Sequence, residues 1–267
     1  MASPTPSPTI GPPFPATSYT PKYTTWPYHA SDFTREDENP DSIFYRQARL
    51  VTHIDNAAIT RLATYYDGVL PRRGKVMDMC TSWKSYYPDS MYEAVQNGAL
   101  AVFGVGLNAE EMAVNSVIVG THRWRVADLN REPYDIRARW QRQVGILFDA
   151  VTCVVSIDYL NRPLEVCGKV LDAVVEGGTV HFVVSNRCFP NKVVRRWLVL
   201  DERERLEMVA DYLFFSGWKE VEIVDLCARD ENGERITDDQ GTVLVASPSL
   251  PRHLDPLWVV RATKKTV

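Results

Sequence analysis

Three aspartates, one histidine and one arginine stand in this chain where a ligand side is expected. Asp78 ends the apolar run KVMDMC, Asp128 closes HRWRVADLN, and Asp158 sits near the end of FDAVTCVVSIDYL. A carboxylate at the end of a buried strand must find donors or take up a proton, because burial disfavours its charged form. Asp158, flanked by Ser156 and Tyr159, therefore reads as a general base for an acceptor hydroxyl, and equally as a helix-capping aspartate. His53 titrates near neutral pH and is a second candidate base. With Arg49 and Asn56 it is spaced i, i+4, i+7, one face of a helix, and Tyr45 and Arg46 stand just before it. Asn186 and Arg187 open NRCFP after a strand, where an arginine fork could hold a carboxylate or phosphate, or the loop could be tied by its own hydrogen bonds. TSWKS offers Ser82 as a donor and the Trp83 ring as a face for a cation, or side chains that simply fill space.

The elements that must position these residues alternate. The spacing predicts a helix from Asp41 or Ser42 through Tyr66, with Leu50, Ile54, Ala58, Leu62 and Tyr65 on its apolar face. From residue 75 onward KVMDMC, LAVFGVGL, HRWRVADLN, FDAVTCVVSIDYL, TVHFVVSN, KEVEIVDL and LWVVRAT read as strands. SMYEAVQNGA, NAEEMAVNSVI, RPLEVCGKVLDAVV (stopped at Gly177-Gly178) and DERERLEMVADYLFFSG read as helices. Such alternation predicts an α/β fold, a mostly parallel sheet covered on both faces. Ligands of such sheets bind outside the carboxyl ends of the strands, at the topological switch point. That rule nominates residues 78–84, 106–110, 128–130, 156–160 and 185–189.

Composition bounds the rest. The 267 residues are 45% apolar and carry a net charge of -4, which suits one sizeable domain and argues against nucleic acid as partner. Five widely spaced cysteines without CxxC, and five histidines without HxH or HExxH, predict reduced thiols in a cytoplasmic protein and no metal site. No apolar run is long enough for a membrane span. Eight of the 17 prolines fall in residues 1–27, which read as a disordered or extended tail before a single domain over 28–267. Residues 228–256 read as a hydrophilic insertion. The aromatic cluster Trp26, Tyr28, Phe33, Phe44 and Tyr45 reads as a pocket roof or as ordinary packing.

Four stretches carry a family resemblance: VMDMCTSWKS, VFGVGLNAEEM, VADLN, and FDAVTCVVSIDYLNRPLEVCGKVLDAVVEGGTVHFVVSN. In order, spacing and punctuation they resemble class I S-adenosylmethionine-dependent methyltransferases of the type 11 group, over residues 75 to 226. The resemblance implies a Rossmann-like seven-stranded sheet with an antiparallel last strand and N-terminal lid helices over 28–70. It implies S-adenosylmethionine as cofactor, S-adenosylhomocysteine as product, and a small-molecule acceptor. Asp78 would hold the cofactor's amino group, and Asp128 with Leu129 would meet its adenine. Cys80, Ser82, Trp83 and Lys84 make a loop where the family has glycines. Gly106 stands where the family has a ribose-binding acid, with Asn108 two residues on as substitute or helix cap. Ser156 would complete the cofactor side. Tyr28, Tyr45, Arg46, Asn186 and Arg187 would face the acceptor, with His53, Asp158 and Tyr159 at the chemistry. The altered loop leaves two further readings open: a repurposed fold catalysing cyclisation, rearrangement or elimination, and a non-catalytic binding protein.

Overall fold

Apolar runs become strands wherever both faces can be covered. The structure is a computed structural model that describes residues 14–134, 136, 146–230, 232, 235–236 and 255–266. The strands are β1 (Ala16–Ser18), β2 (Gly74–Met79), β3 (Leu100–Gly106), β4 (Trp124–Val126), β5 (Phe148–Val154), β6 (Val174–Ser185), β7 (Lys219–Asp225) and β8 (Leu257–Thr263). They form one sheet in the order β1-β7-β8-β6-β5-β2-β3-β4. β6, β5, β2, β3 and β4 run parallel, while β8 pairs antiparallel with both β6 and β7. This is a Rossmann-like fold, with the antiparallel strand that the resemblance implies. From β2 the chain winds outward through β3 to β4, then returns to β5 on the other side, so the switch point lies between β2 and β5.

The helices are α1 (Asp41–Phe44), α2 (Asn56–Val69), α3 (Asp89–Gln96), α4 (Ala109–Ala113), α5 (Pro163–Asp172) and α6 (Glu202–Phe215). The period of two along each strand sorts side chains between two cores. Val76, Val102 and Ala150 pack with Leu62 and Tyr66 of α2 and Met91 of α3. Met77, Met79, Val151 and Cys153 pack with Val166 and Val170 of α5 and Val209 and Leu213 of α6. Asp55 starts α2 by accepting the Ala58 N–H at 2.7 Å, and Asp201 starts α6 with a reciprocal capping box to Glu204.

Four expectations change. The single helix from residue 41 divides into α1 and α2, because Asp55 caps a new start and residues 45–55 run without helix between them. Ile54, Ala58, Leu62 and Tyr65 are buried as the spacing predicts, but Leu50 is exposed, and Arg49, His53 and Asn56 share no helical face. Gly177-Gly178 does not stop α5; the helix ends at Asp172 and both glycines lie in β6. There Gly178 is tightly covered, since a Cβ would stand 2.5 Å from Val174 Cγ1. The sheet has an eighth strand, taken from the stretch read as a tail: Ala16–Ser18 pair with β7. Trp26, Tyr28 and Phe33 pack against Tyr212, so residues 14–27 are built into the domain while 1–13 lie outside the described residues. Arg137, Arg139 and Arg142, which read as a solvated helix face, and most of 228–256 also lie outside them. No helix among the described residues is long and apolar enough to cross a membrane.

Candidate active site

The carboxyl ends of β2, β3, β4 and β5 open into a cavity of about 160 Å³. Asp78, Met79 and Cys80 form one wall; Gly106, Leu107 and Asn108 the next; Asp128 and Leu129 a third; Ser156 and Tyr159 a fourth. Tyr45, Arg49 and His53 reach over it from the segment after α1, and Phe189 from the loop after β6. The cavity is smaller than the ~300–1,000 Å³ typical of pockets for drug-sized ligands, so a ligand of that size enters only if the covering segments yield.

Asp78 is buried at the end of β2, in register with Thr152 of β5. Ser85 Oγ donates to its Oδ2 at 2.7 Å and Thr152 Oγ1 approaches Oδ1 at 3.3 Å. Burial outweighs both hydroxyls and pushes its pKa up to about 7. The chain then turns through Cys80 at φ +54°, a left-handed conformation that a glycine would take freely. The next residues cross to β3: Thr81 N–H donates to Val105 O at 2.8 Å. That crossing explains Gly106, because a Cβ there would meet the Thr81 carbonyl oxygen at 2.0 Å. A side chain of any kind, acidic or not, is excluded from the end of β3 by the path of the loop.

The loop is held by a polar stripe. Ser82 Oγ donates to Glu111 Oε2 at 2.5 Å, and Asn115 Nδ2 donates to Ser82 O at 2.8 Å and to Ser85 Oγ at 2.9 Å. Glu111 Oε1 also accepts the Arg49 N–H at 2.8 Å, joining the loop to the segment above it. Asn108 Oδ1 caps α4 through the Glu111 N–H, while its Nδ2 donates to Tyr45 O at 2.8 Å. Glu111 and Asn115 stand out by neither position nor neighbours; the available signal was their spacing of three and seven from Asn108 in NAEEMAVN. Asp41, expected only as the start of a helix, belongs to the site as well. It is buried, accepts from Arg35 at 2.7 Å, Lys192 at 3.2 Å and Asn130 at 3.0 Å, and reaches the cavity wall.

The cavity gathers twelve of the seventeen expected residues: Tyr45, His53, Asp78, Cys80, Ser82, Gly106, Asn108, Asp128, Leu129, Ser156, Tyr159 and Arg187. Several carry local duties there. Asp128 Oδ1 accepts the Asn130 N–H at 2.9 Å in an Asx turn, and Ser156 Oγ donates to Val154 O at 2.8 Å. Tyr159 Oη accepts the Phe189 N–H at 2.8 Å. Arg187 is paired with Asp255 at 2.7 Å. His53 packs edge-on to Phe189 at 5.4 Å, and burial, aided by Arg49, lowers its pKa, so it is neutral at pH 7.

Five expected residues lie off the cavity. Asp158 is buried behind the turn Ile157–Tyr159, with Oδ2 unpartnered and its pKa pushed up to about 7 by burial. Tyr28 donates to Asp211 at 2.8 Å in the aromatic cluster around Tyr212. Trp83 braces the loop by donating to Val51 O at 3.0 Å. Arg46 is exposed, and its carbonyl accepts from Asn108 at 3.3 Å. Asn186 accepts from Ser185 Oγ at 3.4 Å outside the wall.

No family model matches the chain, and no curated protein matches it. Solved structures share its fold at low identity. A TehB-like SAM-dependent methyltransferase from Corynebacterium glutamicum aligns at 12% identity over 78% of this chain and 88% of its own, with a TM-score of 0.43. The [4+2]-cyclase SpnF aligns at 12% identity over 79% of this chain and 82% of its own, with a TM-score of 0.48. Phosphoethanolamine N-methyltransferase 2 from Haemonchus contortus, in complex with S-adenosyl-L-methionine, aligns at 12% over 78% of this chain and 52% of its own, with a TM-score of 0.46. At these scores the likenesses decide nothing about activity; the strand order, read from the hydrogen bonding, carries the fold.

Proposed function

We propose that the protein binds S-adenosylmethionine at the β2–β5 switch point and transfers its methyl group to a small-molecule acceptor. The observation that carries this is the floor of the cavity. Among the described residues Asp78 faces it with two hydroxyl neighbours and no cation, and the backbone N–H groups of Ser82 and Lys84, which line it too, donate to nothing. A carboxylate without a cation beside amides without acceptors suits a zwitterionic amino acid: the ammonium on Asp78, the carboxylate on the loop. Met79, Val105 and Leu129 supply apolar walls, and on this reading Asp128, which lines the cavity beside Leu129, would accept from the adenine amino group.

The ribose end fits differently from the family pattern. Thr81 O occupies the ground above Gly106, and both polar ends of Asn108 are engaged, so ribose hydroxyls would meet the Thr81 carbonyl instead of a carboxylate at the end of β3. When bound, the cofactor supplies an electrophilic methyl on a sulfonium. The chain's share is to hold the acceptor in line, to exclude water, and to accept a proton if the acceptor must lose one. His53, neutral at pH 7 on the cavity wall, is the base best placed for that. Tyr159, fixed through its Oη by the Phe189 amide, keeps its own O–H to donate.

The first test is calorimetric titration with S-adenosylmethionine and S-adenosylhomocysteine. Micromolar binding is expected. Asp78→Ala should weaken it about 100-fold or more, as lost charge-assisted hydrogen bonds would, while Asp158→Ala should change it less than about threefold. No binding by the wild type up to millimolar would overturn the reading. Gly106 under Thr81 then favours a second one, a fold turned to cyclisation, rearrangement or elimination, whose product gains no methyl group.

A further inference from the structure

Seven charged side chains face the cavity, and most are already paired. Asp41 is held by Arg35 and Lys192, Asp128 by Arg131 at 3.3 Å, and Glu111 by the Arg49 N–H and Ser82 hydroxyl. Asp78 holds two hydroxyls, and Arg187 is bound to Asp255. Arg49 and Lys84 remain. Neither makes an ion pair among the described residues, and both line the cavity.

Arg49 is the better built of the two. Its Cζ lies 4.5 Å from the centre of the Phe44 ring and 5.2 Å from that of Phe189. Among the described residues its one side-chain hydrogen bond is a long contact of 3.4 Å to Phe44 O. Rings against a guanidinium fix its plane and engage its π face, leaving N–H groups along its edge free to donate. Lys84 stands at the rim, its Nζ 5.6 Å from the Tyr86 ring. Tyr45, Tyr159 and the neutral His53 ring complete an aromatic surround.

We infer that Arg49, assisted by Lys84, is a carboxylate clamp for the acceptor. The acceptor is then a small molecule with a carboxylate on an apolar, ring-sized body. This rests on the cofactor reading only in calling the ligand an acceptor; the clamp itself stands on Arg49 and its rings. A carboxylate on the cofactor is the other source of the same chemistry, and the two part experimentally.

The experiment is calorimetry on the full chain saturated with S-adenosylhomocysteine, using benzoate, 4-hydroxybenzoate and indole-3-acetate, each against its neutral methyl ester. At least one acid should bind tenfold or more tighter than its ester. Arg49→Lys, which keeps the charge and loses the fork, should cut that preference severalfold, Arg49→Ala should abolish it, and Lys84→Gln should reduce it about threefold. Melting curves of Arg49→Lys and Lys84→Gln, both mild changes, guard against misfolding. S-adenosylhomocysteine affinity should stay within threefold in Arg49→Lys and Arg49→Ala. Acids that bind no better than esters, or no binding by any acid, would overturn the clamp. A loss of S-adenosylhomocysteine affinity in Arg49→Ala matching the loss of acid binding would overturn it in favour of the cofactor's own carboxylate. Arg49-dependent acid binding by a protein that ignores S-adenosylhomocysteine would leave the clamp standing and remove the methyl-transfer reading.

Discussion

At the ends of β2 and β5, neighbours in the sheet, the chain turns through a non-glycine residue with positive φ: Cys80 at +54° and Val155 at +41°. Each conformation costs about 1–2 kcal/mol. Each exit is followed by a buried aspartate or preceded by one, and there the likeness ends. At β2 the loop's Ser82 and Ser85 close on Glu111 of α4 and Asn115 just after it, beside Asp78, which faces the cavity. At β5 the turn Ile157–Tyr159 carries Asp158 behind the cavity wall, where one carboxylate oxygen finds no donor. Strained backbone persists where its surroundings over-determine it, and at β2 those surroundings are polar and ligand-facing. At β5 they are apolar: Val155 lines the cavity too, but packs on the core behind it, with its N–H on Val183 O at 2.9 Å. Equal position in the sheet therefore does not give equal exposure to ligand.

The pH dependence of stability puts the largest number on this comparison. Asp78 and Asp158 are both pushed up to about 7 by burial. Between about pH 4 and 7 the folded chain keeps protons that the unfolded chain has released, so stability falls as pH rises, by up to about 1.4 kcal/mol per unit for each group. Asp78→Asn and Asp158→Asn should each gain on the wild type across that window and run parallel to it on either side. Saturating S-adenosylmethionine should flatten the Asp78 part alone, because an ammonium beside that carboxylate favours its charged form. Urea unfolding at several pH values, with and without the ligand, measures both. A ligand effect equal at the two sites would erase the distinction drawn between them.

How far the sequence reveals this differs between strand and loop. Strand positions are legible because burial imposes an apolar period on each run, and the switch-point rule then places Asp78, Gly106, Asp128 and Ser156 at one edge. Side-chain direction beyond a strand end is set by turns that leave no such period. Asp158 and Tyr159 are adjacent in sequence, yet one faces the core and the other the cavity. The tail misleads for a related reason: its prolines discourage secondary structure, but Ala16–Ser18 need only three residues to pair with the edge of β7. The role of Glu111 emerges only once loop and helix are folded together, since its partners Ser82 and Arg49 are 29 and 62 residues away.

Two glycines sharpen the account of the β2 loop. Gly106 lies under it, with Thr81 O at 2.0 Å and Met112 Sδ at 3.2 Å from a would-be Cβ. Gly106→Ala must push the loop away, and a loss of about 1–3 kcal/mol is expected. Gly168, in α5, has nothing within 4 Å of a would-be Cβ, so Gly168→Ala should gain up to about 1 kcal/mol from helix propensity. Denaturant midpoints of the two variants should move in opposite directions. A neutral Gly106→Ala would mean that the loop moves freely off β3, and that the missing acid there has another cause.

The smallest effect concerns the two strained residues themselves. Cys80→Gly removes a left-handed penalty of about 1–2 kcal/mol and adds a glycine entropy cost of about 0.5–1 kcal/mol, for a small net gain. Val155→Gly gains the same relief but loses a side chain packed against the core beneath α2, a loss of up to about 1.5 kcal/mol, and should come out neutral or destabilised. Urea midpoints that separate in this order would show the β2 exit to be held by its polar loop and the β5 exit by packing. A Cys80→Gly protein that falls as far as Val155→Gly would mean that the Cys80 side chain is itself part of what holds the loop, and that the two exits are built alike after all.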